Sequence, residues 1–426
     1  MWSGRILAAL SNRAPEFMLG MVPPNRSDDG PDDFEAPCNR QQCRMDSRRD
    51  PDALTDAGPA EPLRIALIAP LVTTIAEPQQ GGSQALLADL AVGLTGRGHD
   101  VDVYATTGSV IAGADVIDTG IDAATLSGAL IRPDRPRRPV PALAEAYEHT
   151  FGIVATGEYD VVHSHGFDPP ALRRARAGRA PIIHTVHMPP EREAAAALRE
   201  AQQASGIVVG VSAAHARAWS SLVKFDRVIR NGVPVARIPW SDQPGRGLVF
   251  AGRFSAEKGA GVAIDIALMS DERIDLYGTA YDEDYAQALR QNHAGDPRVM
   301  FHDALPRAEL WRRLASAKAV LCPIDWDEPY GLIAAEAQAA GTPVVGFARG
   351  GLTEVIDDAV TGFLVGPGNI EDAVGAVRSV GTLDRRRCRQ HAVDHLDLDA
   401  CLASYEALYA SVSAPRANGG GSVSSG

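Results

Sequence analysis

Lysine is almost missing from this 426-residue chain: Lys224, Lys258 and Lys318 are the three among 41 basic residues. Codon bias toward arginine would produce that imbalance, but it also makes each lysine stand out, because arginine is the default cation here. Cysteine is scarce as well. Cys38, Cys43, Cys322, Cys388 and Cys401 are odd in number and scattered, which excludes a disulfide framework. Cys38 and Cys43 lie close together in a polar segment, but no second ligand pair or histidine stands near them to complete a zinc site. A reducing, cytoplasmic compartment fits this usage. No apolar run approaches the ~18–20 residues of a membrane span. The N-terminal MWSGRILAALSNRAPEF has only a short apolar stretch and no small-residue cleavage site, so it does not read as a signal peptide. The net charge of -13 argues against non-specific nucleic-acid binding, which needs a basic surface.

What the chain does have is strand and helix in alternation. Residues 1–61 are rich in Pro, Asp, Asn and Arg without hydrophobic periodicity and read as a disordered extension; the Gly/Ser-rich tail 413–426 reads likewise. Between them, IALIAPLV (65–72) is an apolar run suited to a strand buried on both faces of a parallel sheet. A loop with Gly81 and Gly82 follows, then helical spacing over 83–98 and a strand at 101–106, which is a Rossmann-type opening. Further strands are expected at 159–166, 181–187 and 206–212, and a strand end and turn at 228–234. The segment from about 108 to 150 carries no readable pattern. A second unit restarts at GLVFAGRF (247–254), with a helix over 259–269 and strands at 273–278, 298–303, 319–324, 342–347 and 361–365; helices over 308–317 and 331–341 separate them. The reading is therefore α/β, with two doubly wound parallel sheets facing across a cleft: a first domain over 62–235, a second over 236–398, and a C-terminal helix at 399–412 able to pack back on the first.

The strongest signal is EPYGLIAAEAQAAGTPVV (328–345). Pro329 suits the first position of a helix, so the amides of Tyr330, Gly331, Leu332 and Ile333 are expected to form an anion site at a helix N-terminus. Glu328, just before that helix, could accept hydrogen bonds from sugar hydroxyls. Glu336, about two turns on along the same face at 3.6 residues per turn, could hold a ribose by its paired hydroxyls. A capping glutamate and a solvated one would give the same spacing. Glu336, however, sits among small apolar residues on a helix expected to be packed, where an unpaired carboxylate is costly. With GGLTEVI (350–356) and TGFLV (361–365), this segment closely resembles the retaining family-4 glycosyltransferases of the GT-B fold, and the resemblance spans about residues 63–410. It implies that Glu328 contacts the donor sugar and Glu336 the nucleotide ribose.

FAGRFSAEKG (250–259) places Arg253 at a strand end and Lys258 before a helix. Two such cations can clamp a diphosphate and offset charge on its leaving oxygen; scattered surface charge is the plainer alternative, and the resemblance assigns both to the donor diphosphate. Gly81 and Gly82 form an ordinary turn or a close-approach loop, and match the family's Gly-Gly loop facing donor and acceptor. Four histidines, His163, His165, His184 and His187, stand at strand ends. Zinc is one reading, but no Asp, Glu or Cys completes the set. The resemblance instead places His187 near the C6 hydroxyl of the donor sugar and His165 in the wall of the cleft, leaving His163 and His184 as hydrogen-bonded core residues. The Asp-Trp-Asp at 325–327 spells the Asp-x-Asp of metal-dependent transferases, but it directly precedes a helix whose diphosphate Arg253, Lys258 and the helix dipole already balance; no metal and no cofactor are expected. The arginine-rich stretches 132–138 and 173–179 read as solvated loops or as patches for peripheral membrane contact.

The resemblance implies retaining transfer of a hexosyl group from a nucleotide diphosphate sugar, a UDP-sugar by family habit, with His187, Arg253, Lys258 and Glu328 catalytic. The acceptor stays open among small molecules, natural-product scaffolds and lipids. The alternatives are an epimerase or phosphorylase on the same fold, or a non-catalytic nucleotide-sugar-binding protein. A dinucleotide oxidoreductase is disfavoured because the first loop lacks G-x-G-x-x-G.

Overall fold

The computed structural model describes residues 61–129 and 140–413. Cys38, Cys43, the N-terminal extension up to residue 60, the tail from residue 414 and the whole arginine-rich stretch 132–138 with its flanks therefore lie outside the described residues. The apolar run after Leu63 becomes β1 (Arg64–Ile68), and Ile65 to Ile68 are wholly buried. The strand stops short of the predicted 72 because Pro70 has no N–H to contribute to a ladder. After it come β2 (Asp100–Ala105), β3 (Asp115–Asp118), β4 (Val161–Ser164), the two-residue β5 (Arg176–Ala177), β6 (Ala180–Thr185), β7 (Ile207–Gly210) and β8 (Arg227–Val228). They form one sheet in the order β3-β2-β1-β4-β6-β7-β8, parallel throughout except for the β5–β6 pair.

The second sheet contains β9 (Leu248–Ala251), β10 (Ile274–Tyr277), β11 (Val299–His302), β12 (Ala319–Cys322), β13 (Val344–Phe347) and β14 (Gly362–Val365). Its order is β11-β10-β9-β12-β13-β14, all parallel. Renumbered from its own first strand, this is 3-2-1-4-5-6, the order of dinucleotide-binding sheets, in which the strand order reverses between strands 1 and 4 and leaves a crevice at their C-terminal ends. In the first sheet the corresponding switch lies between β1 and β4.

The segment 108–150, unreadable from its pattern, holds β3 and the start of the Pro141–Ala155 helix. β3 is DVID with both ends exposed, an edge strand with no apolar run to betray it. The Leu398–Val412 helix returns to the first sheet: Cys401, Leu402, Tyr405 and Tyr409 share the core of β1 and the Gly82–Gly96 helix. Leu402 presses on Gly93 so closely that a Cβ there would lie 2.6 Å from its Cδ1. No helix among the described residues is long and apolar enough to cross a membrane.

Candidate active site

The loops leaving β9 and β12, at the second sheet's switch point, face the loop leaving β1 across a cavity of about 340 Å³. Gly252, Arg253 and Lys258 line it from the first loop; Trp326, Glu328, Pro329, Tyr330, Gly331, Leu332, Ile333 and Glu336 line it from the second; Gly81 and Gly82 line it from the opposite domain, with His187. The two second-domain loops are interlocked at Gly259, whose φ of 75° favours glycine and where any Cβ would strike the carbonyl of Pro323.

Lys258 donates from Nζ to Glu328 Oε2 at 2.6 Å, and the Trp326 indole N–H donates to the same oxygen at 2.6 Å. Lys258 also stands over the Trp326 ring. Burial alone would raise the Glu328 carboxyl; the charge of Lys258 and these two hydrogen bonds outweigh it and hold the group below its ordinary value. Arg253 lies over the Tyr281 ring at 4.1 Å and pairs with Glu257 at 3.5 Å. Two cations and a held carboxylate thus converge on one wall. The flanking Asp325 and Asp327 turn away and pair with Arg349.

The helix after Glu328 begins later than Pro329. It runs Leu332–Ala339 behind Gly331, whose φ is 103°. A positive φ cannot belong to a right-handed helix, so Pro329, Tyr330 and Gly331 form a turn and the expectation of Pro329 as first helical residue is corrected. Glu328 and Glu336 consequently do not share a helix face. The amides of Leu332 and Ile333 precede the first intrahelical bond, which Ala334 makes to Gly331, and they remain suited to an anion. Tyr330 is buried and supplies wall rather than a first-turn amide.

Glu336 is one turn into that helix, and a residue missed by the sequence reading holds it. Arg307 donates from Nε and Nη2 to Glu336 Oε1 at 3.1 and 2.8 Å, and from Nη1 to both oxygens of Asp89 at 2.8 Å. Asp89 belongs to the first domain, in the Gly82–Gly96 helix. All three are buried, with 4% of Asp89, 8% of Arg307 and 6% of Glu336 exposed. Burial pushes the Asp89 carboxyl up to about 6 despite its guanidinium partner, while the two carboxylates outweigh desolvation and raise Arg307 further. The signal for Asp89 was present: it is the one charge inside GSQALLADLAVGLTG, seven residues and so about two turns from Gly82. Arg307 had no local signal.

His187 reaches the cavity, but His165 does not. It is fully buried behind His187, with its Nδ1 2.9 Å from His187 Nε2; the expectation that it lines the cleft is corrected. Alternation did place its side chain with that of His163, 4.2 Å away, but β4 is covered there by the C-terminal helix. His163 bonds Tyr409 Oη and Thr185 Oγ1 at 2.7 Å each, and His184 Nε2 bonds the Arg174 carbonyl. Burial lowers His187 to about 3, with a smaller push from His215, and His165 well below the ordinary range. Both rings are neutral at neutral pH.

Gly81 caps the Gly82–Gly96 helix in extended conformation and has open space at its Cβ position, whereas Gly82 faces Leu332. Further contacts join the domains: Ser212 Oγ donates to the Pro329 carbonyl at 2.7 Å, and the amides of Ala213 and Ala214 donate to Glu354.

A family model described as Glycosyl transferases group 1 matches residues 241–393, and one described as Glycosyltransferase Family 4 matches residues 80–237. A D-inositol 3-phosphate glycosyltransferase from a Nocardioides species is 28% identical over 407 residues, covering 81% of this chain and 87% of that protein. A glycogen synthase from Mycobacterium tuberculosis is 31% identical over 259 residues, covering 52% and 60%. Among solved structures, Anabaena HepE in complex with UDP and glucose matches with a TM-score of 0.65 at 19% identity, covering 82% of this chain and 100% of that one. Sucrose-phosphate synthase from Thermosynechococcus elongatus matches with a TM-score of 0.64 at 19% identity, covering 82% and 98%. These structural likenesses establish the GT-B architecture.

Proposed function

The chain belongs to the group 1, family 4 glycosyltransferases of the GT-B fold, and on that premise we propose that it moves a hexosyl group from a UDP-sugar to an acceptor hydroxyl, with retention of anomeric configuration and without a divalent metal. The observation that carries this reading is the convergence of Arg253, Lys258 and the Leu332 and Ile333 amides around Glu328, at the switch point of the second sheet.

In this reading the diphosphate lies against Arg253, Lys258 and the helix N-terminus. The bond between the anomeric carbon and the phosphate oxygen breaks as the acceptor oxygen attacks from the same face, and the departing phosphate oxygen takes the acceptor's proton. Lys258 and Arg253 offset the charge gathering on that oxygen, in place and already oriented. Glu328, held ionised by Lys258 and Trp326, accepts from hydroxyls of the donor sugar. His187 is neutral and serves as a hydrogen-bonding partner of the sugar, not as a proton donor at pH 7. Glu336 takes the ribose diol, and Gly81 and Gly82 give the sugar a close backbone wall. That HepE was solved with UDP and glucose supports the donor class. The cytoplasm is the compartment we assign, since the described cysteines are free and buried.

The test is a donor screen by calorimetry, UDP- and GDP-sugars in EDTA, on the wild type and on Glu336→Ala. Micromolar binding of a UDP-sugar in EDTA, lost in the variant, is expected; the anomeric proton coupling of a transfer product then reports retention. Failure of every nucleotide and nucleotide sugar to bind would overturn the reading.

A further inference from the structure

Glu336 lines the cavity and has one oxygen held by Arg307, a residue of its own domain that the first domain grips in turn. Its Oε1 accepts two N–H groups of Arg307, which fills both lone-pair sites of that oxygen. Oε2 has no partner among the described residues, and its two lone pairs are the right number for the two hydroxyls of a cis-diol. Arg307 itself is anchored from the first domain at two points: Asp89 takes Nη1 with both carboxylate oxygens, and Glu77 Oε2 accepts its backbone N–H at 3.1 Å. Asp89 does not line the cavity, so its reach to a bound nucleotide runs through Arg307. An uncompensated buried carboxylate in a helix of the first domain is costly, and Arg307 is the partner that meets that cost across the cleft.

We propose that Asp89, acting from the first domain through Arg307 of the second, sets the rotamer of Glu336, both being positioning residues, so that ribose recognition by the second domain is complete only when the two domains are joined by this bridge. The inference rests on the assignment of Glu336 to the ribose. It follows that the first domain, though it offers no side chain of Asp89 to the nucleotide, contributes to discrimination between ribose and 2′-deoxyribose.

The experiment is calorimetric titration of UDP and of 2′-deoxy-UDP into the full-length wild type, Asp89→Asn, Glu336→Gln and the double variant, with a thermal melt of each to verify folding. Asp89→Asn is nearly isosteric; Asp89→Ser repeats the cycle should the amide variant not fold. The expected result is that the wild type prefers UDP over 2′-deoxy-UDP by roughly tenfold or more, as for a hydroxyl bonded to a charged group. Asp89→Asn should shrink that preference several-fold and should have no further effect in the Glu336→Gln background. A purely structural role would weaken both ligands equally and leave the preference intact, and that result would overturn the proposal, as would losses that simply multiply in the double variant. A wild type that binds neither ligand sinks the ribose assignment itself, a distinct outcome from a wild type that binds UDP selectively and ignores position 89.

Discussion

Lys258 and Glu328 form a 2.6 Å ion pair across the switch point of the second sheet, 70 residues apart in the chain. Each group is the main reason the other is tolerated there. Lys258→Ala leaves Glu328 half of a broken pair in a part-buried setting, so its carboxyl should rise and one of the two charges opposing the departing phosphate should vanish. We expect kcat to fall by ~10²–10³, the usual cost of removing one preorganised charge-stabilising group. Glu328→Gln should keep nucleotide binding within a few-fold while lowering kcat. Steady-state kinetics with a measured UDP affinity separates the two; unchanged kcat in both variants would remove this pair from the chemistry.

The buried histidines should make stability fall on mild acidification. His163, His165, His184, His187 and His215 are all held below the ordinary imidazole value, principally by burial. With folded-state values below the unfolded one of about 6.5, the unfolded chain binds more protons, so stability is full above pH 6.5 and declines as pH falls toward the folded-state values. Asp89 acts with the opposite sign. Its folded value of about 6 exceeds its ordinary 3.8, so its contribution is full below pH 3.8 and is lost as pH rises through 6. Melting temperatures should therefore drop from pH 7.5 to 5 in the wild type. The difference between wild type and Asp89→Asn should shift in the wild type's favour as pH falls through 6. A wild-type melting temperature that rises on acidification would show the histidines are not the governing groups.

Gly82 and Leu332 meet across the cleft at the first residues of two helices. A Cβ on Gly82 would come within 2.9 Å of Leu332 Cδ1. Because that atom is the end of a side chain, Gly82→Ala should fold with less than about 1 kcal/mol of loss, yet hold the domains slightly apart. Transfer should slow several-fold, and Leu332→Ala should restore it in the double variant. Gly81→Ala, with open space around its Cβ, should melt like the wild type, and any slowing of transfer there should not respond to Leu332→Ala. Equal rescue of the two glycine variants by Leu332→Ala would mean that the cross-cleft contact at Gly82 is not what distinguishes them.

Tyr409 secures the C-terminal helix to the first domain through its hydroxyl, 2.7 Å from His163 Nδ1. Tyr409→Phe leaves that buried ring nitrogen without its partner, which costs about 1–3 kcal/mol. Chemical denaturation should show this as a lower midpoint at unchanged slope. UDP affinity should stay within twofold, since neither residue lines the cavity.

Much of the second sheet was legible because its strands are short apolar runs between glycines and helical stretches, and the observed strands fall inside the predicted ones with ends trimmed by at most three residues. Arg253, Lys258, Glu328 and Glu336 could be picked out because the residues flanking them in sequence also flank them in space. The start of the helix after Glu328 was misplaced: proline at a first turn is a local preference, and it yielded to a positive-φ glycine two residues later. His165 was misplaced because alternation assigns a side chain to a face of a sheet, while the Leu398–Val412 helix decides whether that face is open.

Local periodicity and residue chemistry thus determined by themselves that this chain builds two parallel sheets, and that the second would carry a loop with cations, Glu328 after a strand and Glu336 on the helix that follows. Only the tertiary structure decided which cations hold those carboxylates. Glu336 meets Arg307, 29 residues away, and Arg307 meets Asp89, 218 residues away. Such partners are chosen by the packing of two domains, and the reason is energetic: a charge buried at an interface must find its counter-charge wherever the fold brings one, and no periodicity in the chain records which one that will be.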